Sequence, residues 1–138
     1  MNVIQTPIQD LLIIEPRVFN DDRGYFFESY NAASFQKETD FTNTFVQDNQ
    51  ARSVKNVLRG LHYQNAPNAQ TKLVRVLDGT IWDVVVDLRK DSNTFGQWYG
   101  VELSAENKRQ FLVPKGFAHG YSVLSDTAEV FYKCDNFY

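Results

Sequence analysis

Lys72-Leu73-Val74-Arg75-Val76-Leu77, then Asp78-Gly79, then Thr80-Ile81-Trp82-Asp83-Val84-Val85-Val86-Asp87 is the stretch that decides the fold. Both flanking runs are rich in β-branched residues, which suit a pleated surface better than a helix. Asp-Gly between two such runs predicts a hairpin with a two-residue turn, because Asp and Gly tolerate the positive φ angles that turn requires. Pairing Leu77 with Thr80 sets Val74 opposite Asp83 and Lys72 opposite Val85. Side chains alternate with period two along a strand, so Lys72, Val74, Val76, Ile81, Asp83 and Val85 share one face. A lysine and an aspartate therefore sit on an otherwise apolar face, where a charge is costly unless it has a partner.

Working outward, residues 11–15 and 24–30 read as strands on either side of a turn at 20–24, and residues 34–38 as a short helical turn. Further strands are predicted at 45–49, 57–64, 100–103, 110–113, 121–124 and 129–133, with a capped turn at 104–107. Many short strands with little helix predict an all-β sandwich or jelly-roll barrel, formed as one domain over residues 1–138.

Composition narrows the function. Hydrophobic residues make up 43% and charged residues 22% of the chain, enough apolar material to close a core. A net charge of -3 lacks the basic footprint of a general nucleic-acid binder. One cysteine, Cys134, allows no internal disulfide and fits a reducing compartment. The first residues show no charged segment followed by an apolar one, and no apolar run reaches membrane-spanning length. These features predict a cytoplasmic location with neither membrane nor nucleic acid as partner. Aromatic residues reach 14%, which fits rings filling a β core and leaves some to line a pocket for a flat ligand.

The chain has only two histidines, His62 in Arg59-Gly60-Leu61-His62-Tyr63-Gln64 and His119 in Pro114-Lys115-Gly116-Phe117-Ala118-His119-Gly120. Histidine alone exchanges a proton near neutrality without a perturbed pKa, so acid–base chemistry has few candidates here. Simple alternation puts His62 on the face opposite Arg59, unless a bulge at Gly60 changes the count. His62, His119 and Lys72 are the residue types that would surround an anionic intermediate. Two imidazoles without a clear third ligand make a poor transition-metal site, so no metal is expected.

The Pro-x-Gly-x-x-His spacing at 114–119 resembles the second signature of the cupin superfamily. A tighter resemblance comes from several segments in order: Phe-Val-Gln-Asp-Asn at 45–49, Val-Leu-Arg-Gly-Leu-His-Tyr-Gln at 57–64, Lys72 before its strand, and Asp-Val-Val-Val-Asp-Leu-Arg at 83–89. Ser-x-Thr-Phe-Gly-Gln-Trp at 92–98, Leu-Ser-Ala-Glu-Asn-Lys-Arg-Gln at 103–110, Pro-x-Gly-Phe-Ala-His-Gly at 114–120 and Tyr-Lys at 132–133 complete it. Together they are similar to the dTDP-4-dehydrorhamnose 3,5-epimerase family. The resemblance implies a cupin-type jelly roll and a cofactor-free, metal-free epimerase that inverts C3 and C5 of dTDP-4-dehydro-6-deoxy-D-glucose in dTDP-L-rhamnose biosynthesis.

The same resemblance implies roles for single residues. His62 matches the family's base, Lys72 its enolate stabiliser and Tyr132 the acid that returns a proton to the opposite face of the sugar. Arg23 and Arg59 resemble its diphosphate ligands. Phe26 and Glu28 resemble residues framing the thymidine end, in an N-terminal segment that can reach across a homodimer. Gln47 and Asn49 match base- or sugar-contacting positions, and His119 and Tyr138 match contacts to sugar and diphosphate. Family members usually continue past the position of Tyr138 and supply there an aspartate that hydrogen-bonds the histidine base. Asp83 is the auxiliary candidate within this chain, either approaching His62 or only compensating Lys72. A related sugar 3-epimerase or 3,4-ketoisomerase, a dTDP-sugar-binding module with little turnover and a metal-dependent cupin are the other readings.

Overall fold

The computed structural model describes residues 1–138. Twelve strands and one helix follow in chain order: β1 Asn2–Gln5, β2 Leu12–Glu15, β3 Phe19–Asp21, β4 Gly24–Phe26, α1 Ala32–Thr39, β5 Gln47–Val54 and β6 Leu58–His62. They continue with β7 Lys72–Asp78, β8 Thr80–Asp87, β9 Trp98–Ser104, β10 Gln110–Val113, β11 Phe117–Val123 and β12 Thr127–Cys134. Two antiparallel sheets stack face to face, one in the order β1-β2-β10-β7-β12-β5 and the other β6-β11-β8-β9, while β3 and β4 form a separate hairpin. The all-β class read from the sequence is the class observed.

The central stretch behaves differently from the hairpin its turn predicts. β7 pairs with β10 and β12, and β8 pairs with β9 and β11, so Asp78-Gly79 carries the chain from one sheet to the other. Gly79 has the positive φ, +80°, that the turn residues imply. The corner is fastened from outside: Thr80 N–H donates to the Ser125 hydroxyl at 2.8 Å, and Ala105 N–H donates to the Gly79 carbonyl at 3.0 Å. A local Asp-Gly signal fixes a reversal but not the partners of the strands it joins. Alternation still sorts the residues correctly, since Val74 and Val76 face inward from one sheet and Ile81 and Val85 from the other, all in one buried cluster. Side chains expected side by side on a hairpin are instead opposed across the sandwich.

Val74, Ile81, Val85, Leu103 and Phe111 are wholly buried between the sheets. Each such burial contributes about 1.5–3 kcal/mol relative to exposure. A second cluster, Leu12, Ile14, Leu73, Leu112 and Phe35, covers the outer face of the larger sheet. Phe35 comes from α1, which runs longer than the helical turn expected because Asn31 caps it, its side-chain oxygen accepting from Ala33 N–H and Ser34 N–H. The 104–107 turn is the reciprocal cap the sequence suggests, with Asn107 N–H donating to Ser104 Oγ and Ser104 N–H to Asn107 Oδ1. The strand expected at 24–30 ends at Phe26, and β1 was absent from the sequence reading.

At the rim, Asp87 is wholly buried and collects donors from a following loop. Arg89 reaches it through Nε at 3.0 Å and a terminal nitrogen at 3.1 Å, and the hydroxyls of Ser92 and Thr94 each donate at 2.6 Å. These bonds to the charged form outweigh burial and hold the Asp87 carboxyl well below the usual carboxylate range.

Candidate active site

The polar residues of the interior gather where the two sheets leave their edges open, at β5 and β6. From the larger sheet, β5 presents Gln47, Asn49 and Ser53, β12 presents Tyr132 and Cys134, and β7 presents Lys72, all on the side of Val74 and Val130. From the smaller sheet, β8 presents Asp83 and β11 presents His119 and Tyr121.

His62 reaches this group through an irregularity. β11 pairs Tyr121 with Arg59 but His119 with His62, so the register shifts between them and both Arg59 and His62 share the inward face. Gly60 absorbs the shift at a φ of +108°, and a Cβ there would lie 2.7 Å from both the Cα of Gly120 and the carbonyl oxygen of His119. Only glycine fits that approach. Plain alternation, which opposes His62 to Arg59, is therefore corrected by a bulge at Gly60.

Arg59 spans the mouth between the sheets, its Nε donating to Ser53 Oγ at 2.8 Å. Burial pushes the Tyr121 phenol above its ordinary pKa, and the nearby Arg59 and Ser53 pull it part of the way back. Tyr121 and Ser53 were missed in the sequence reading. The available signal was spacing, because Tyr121 lies two residues from His119 and therefore on its face.

Burial likewise lowers the pKa of Lys72, partly offset by Cys134 and Asp83. Its ammonium lies 5.5 Å from the centre of the Tyr132 ring. Tyr132 is raised by burial first, with Cys134 and Tyr138 adding to the rise and Asn49 and Arg59 opposing it. The thiol of Cys134, wholly buried, is pushed up to about 11 chiefly by burial. A narrow cavity joins Lys72 and His119 with Tyr63, Gln64 and Phe117.

Asp83 approaches neither expected partner most closely. Its Oδ1 lies 2.5 Å from Nε2 of His119, at an angle outside hydrogen-bond geometry, and the carboxylate is wholly buried. The reason is register: Tyr121 faces Asp83 directly, which leaves His119 as its neighbour along the same face, while His62 lies one strand further out. No group of three or more His, Cys, Asp or Glu side chains comes together in a form that could hold a metal ion.

Lys72, Tyr132, Asn49, Gln47, His119 and Asp83 thus share the space between the sheets, and Arg59 and His62, on the exposed strand β6, stand at its open edge on the same side. Tyr138 stands at its edge, its N–H donating to Gln47 Oε1 at 3.3 Å with the ring exposed. Arg23, Phe26 and Glu28 are not brought there. Arg23 is 91% exposed and pairs only with Asp21 in its own turn. Phe26 and Glu28 border a separate cavity with Ile14 and Phe35, and Ser29 and Tyr30 continue onto Leu73, Arg75 and Lys133. Those are outward residues of the larger sheet, opposite the face that carries Lys72 and Tyr132.

A cupin-type β sandwich whose polar pocket sets a histidine on one sheet opposite a lysine and a tyrosine on the other has the acid–base equipment of an isomerase. The family model for dTDP-4-dehydrorhamnose 3,5-epimerase matches residues 5–138, and the chain belongs to that family. A dTDP-4-dehydrorhamnose 3,5-epimerase of Salmonella typhimurium is 59% identical over 138 residues, spanning 100% of this chain and 75% of the relative. The crystal structure of the enzyme from Elizabethkingia anophelis superposes with a TM-score of 0.95 at 59% identity, covering 100% of this chain and 75% of that one. A Legionella pneumophila dTDP-6-deoxy-D-glucose-3,5-epimerase, solved in complex with dTDP-4-keto-L-rhamnose, gives a TM-score of 0.96 at 55% identity over 99% of this chain and 72% of that one. The chain is an isomerase of the dTDP-rhamnose biosynthetic type. No helix is long and apolar enough to cross a membrane.

Proposed function

We propose that His62, Lys72 and Tyr132 carry the epimerisation of dTDP-4-dehydro-6-deoxy-D-glucose at C3 and C5. One observation carries the assignment: His62 projects from the smaller sheet, whereas Lys72 and Tyr132 project from the larger one, across the same opening. Inversion needs a base on one face of the sugar ring and an acid on the other. A ring held between the sheets meets both.

A C–H next to the C4 ketone becomes removable when the developing enolate oxygen is held by fixed charge. His62 takes that proton. The Lys72 ammonium stabilises the enolate oxygen, and it is suited to this because the protein has already stripped much of its water. Tyr132 returns a proton from the opposite side, its phenol staying neutral at pH 7 because burial holds its pKa high. Arg59 at the mouth offers a guanidinium to the diphosphate. Gln47, Asn49, His119 and Tyr138 surround the sugar and its linkage.

Arg23, Phe26 and Glu28 act on a second copy of the chain. They lie on the outer face beside exposed Phe19 and Tyr25, an apolar surface that a homodimer buries and from which the β3–β4 hairpin can serve a neighbouring pocket. A reduced buried thiol and a nucleotide-sugar substrate fit a cytoplasmic enzyme. Incubating the protein with dTDP-4-dehydro-6-deoxy-D-glucose in D2O and identifying the product by NMR tests the reading. Deuterium at C3 and C5 with inverted centres supports it. Label at C3 alone, a carbonyl moved to C3, or binding without label rejects it.

A further inference from the structure

The strand that carries His62 is thinly held. β6 lies at the edge of the smaller sheet, pairs only with β11, and exposes every one of its residues. The loop that leaves it, residues 63–70, has no buried residue. Asn68 N–H to the Asn65 carbonyl, at 2.9 Å, is the one backbone hydrogen bond this loop makes within itself. A segment with so few contacts opens at low cost unless something outside it ties it down.

Side chains supply the ties, and they run to the larger sheet. Near the start of β6, Arg59 Nε donates to Ser53 Oγ of β5 at 2.8 Å. Beyond His62 the tie is Asn136, two residues after β12 ends at Cys134. Its Nδ2 donates to the Pro67 carbonyl at 2.8 Å and reaches the Ala69 carbonyl at 3.5 Å. Gln70 Nε2 donates back to the Asn136 carbonyl at 3.0 Å. Asn136 is itself well anchored. Its Oδ1 accepts Phe137 N–H at 2.9 Å, which leaves the nitrogen end for the loop. The Asp135 carboxylate before it, with no exposed side-chain surface, accepts Thr71 N–H at 2.7 Å and Asn43 Nδ2 at 3.1 Å.

We infer that Asn136 is a positioning residue for the base: by tying the loop that leaves His62 to the end of the strand that carries Tyr132, it sets the separation of base and acid across the open edge. This rests on the reading of His62 and Tyr132 as base and acid. The two groups stand on different sheets, so no ladder of hydrogen bonds between β6 and β12 fixes their distance. Proton transfer is sensitive to such distances, a misplacement of about 1 Å costing on the order of a hundredfold. Asn136 bonds to none of the residues assigned to substrate, so its loss should act on kcat rather than on KM.

Asn136→Asp isolates the tie. The carboxylate keeps the shape and the acceptor for Phe137 N–H but removes the donor to Pro67 and Ala69. Asn136→Ala removes the same donor without adding charge. In both variants the Asn68 amide should exchange with solvent about tenfold faster, while amides of β8 and β11 keep their protection and show that the fold is intact. With dTDP-4-dehydro-6-deoxy-D-glucose, kcat should fall about tenfold to a hundredfold and KM stay within about threefold. Unchanged Asn68 exchange overturns the inference, as does faster exchange with unchanged kcat, or a rise in KM alone. A loss confined to Asn136→Asp would assign the effect to charge and overturn it too. Amide exchange needs no substrate. If the unmodified chain does not epimerise, the acid–base reading fails and the role of Asn136 with it, while faster Asn68 exchange in the variants would still record the tie.

Discussion

Oδ1 of Asp83 and Nε2 of His119 lie 2.5 Å apart inside the sandwich, and neither atom has a hydrogen-bond partner in the protein. A wholly buried carboxylate in that state stays only if charge or substrate compensates it. Lys72 supplies part of this, since Asp83 acts to raise the lysine's pKa against the larger effect of burial. Asp83, with Cys134, therefore helps the lysine keep its proton against burial.

Asp83→Asn should lower the Lys72 pKa further, because it removes the acid and leaves the burial. An enolate stabiliser that deprotonates earlier loses activity earlier, so the alkaline limb of the kcat profile should move to lower pH. A kcat profile measured from pH 6 to 10 checks this. An unchanged limb together with unchanged deuterium exchange would remove Asp83 from the mechanism.

Lys72→Met keeps the volume of the side chain and removes the charge. Loss of one fixed donor to a developing oxyanion costs about a hundredfold to a thousandfold in kcat. Both exchange and product formation should fall together. Isotope exchange and product formation followed by NMR read both losses.

Gly60→Ala places a Cβ 2.7 Å from backbone atoms of Gly120 and His119, at a φ that L residues rarely adopt. The bulge that turns both Arg59 and His62 inward cannot hold, and the cost should be about 2 kcal/mol of stability. Chemical denaturation and kcat/KM should both register the change. A variant with native stability and activity would show that the bulge does not set the position of His62.

The acid stability of the fold should depend on Asp87. Its folded pKa is depressed, so its stabilisation is fully present above the unfolded carboxylate range, about 4, and is lost as pH falls toward the lowered folded value. Asp87→Asn leaves the Arg89 guanidinium with a neutral partner and should cost about 3 kcal/mol at pH 7. Its unfolding free energy should also vary less than that of the unmodified chain between pH 4 and 2. Urea denaturation at several pH values reads both effects.

Much of this was legible in the sequence where the signal is local. Alternation put Lys72, Val74, Val76, Ile81, Asp83 and Val85 on one face of a hairpin; their inward direction holds, but the Asp78-Gly79 turn joins two sheets rather than two paired strands, so the two sets of three face each other across the sandwich. Strand partners depend on burial of both runs by residues far along the chain, which a turn dipeptide cannot encode. The resemblance named His62, Lys72 and Tyr132, and the fold gathers them. It could not reveal that Asp83 meets His119, that Gly60 resets the register, or that Arg23, Phe26 and Glu28 stand on the far side of the larger sheet. Those facts belong to geometry beyond one strand.

The central claim is that His62 removes the proton and Tyr132 returns it from the other face. Its most direct test is deuterium incorporation from D2O into dTDP-4-dehydro-6-deoxy-D-glucose, followed by NMR for the unmodified chain, His62→Asn and Tyr132→Phe. The expected result is label with inversion for the unmodified chain, no label for His62→Asn, and label without inversion for Tyr132→Phe. Label retained in His62→Asn, or inversion retained in Tyr132→Phe, would contradict the assignment.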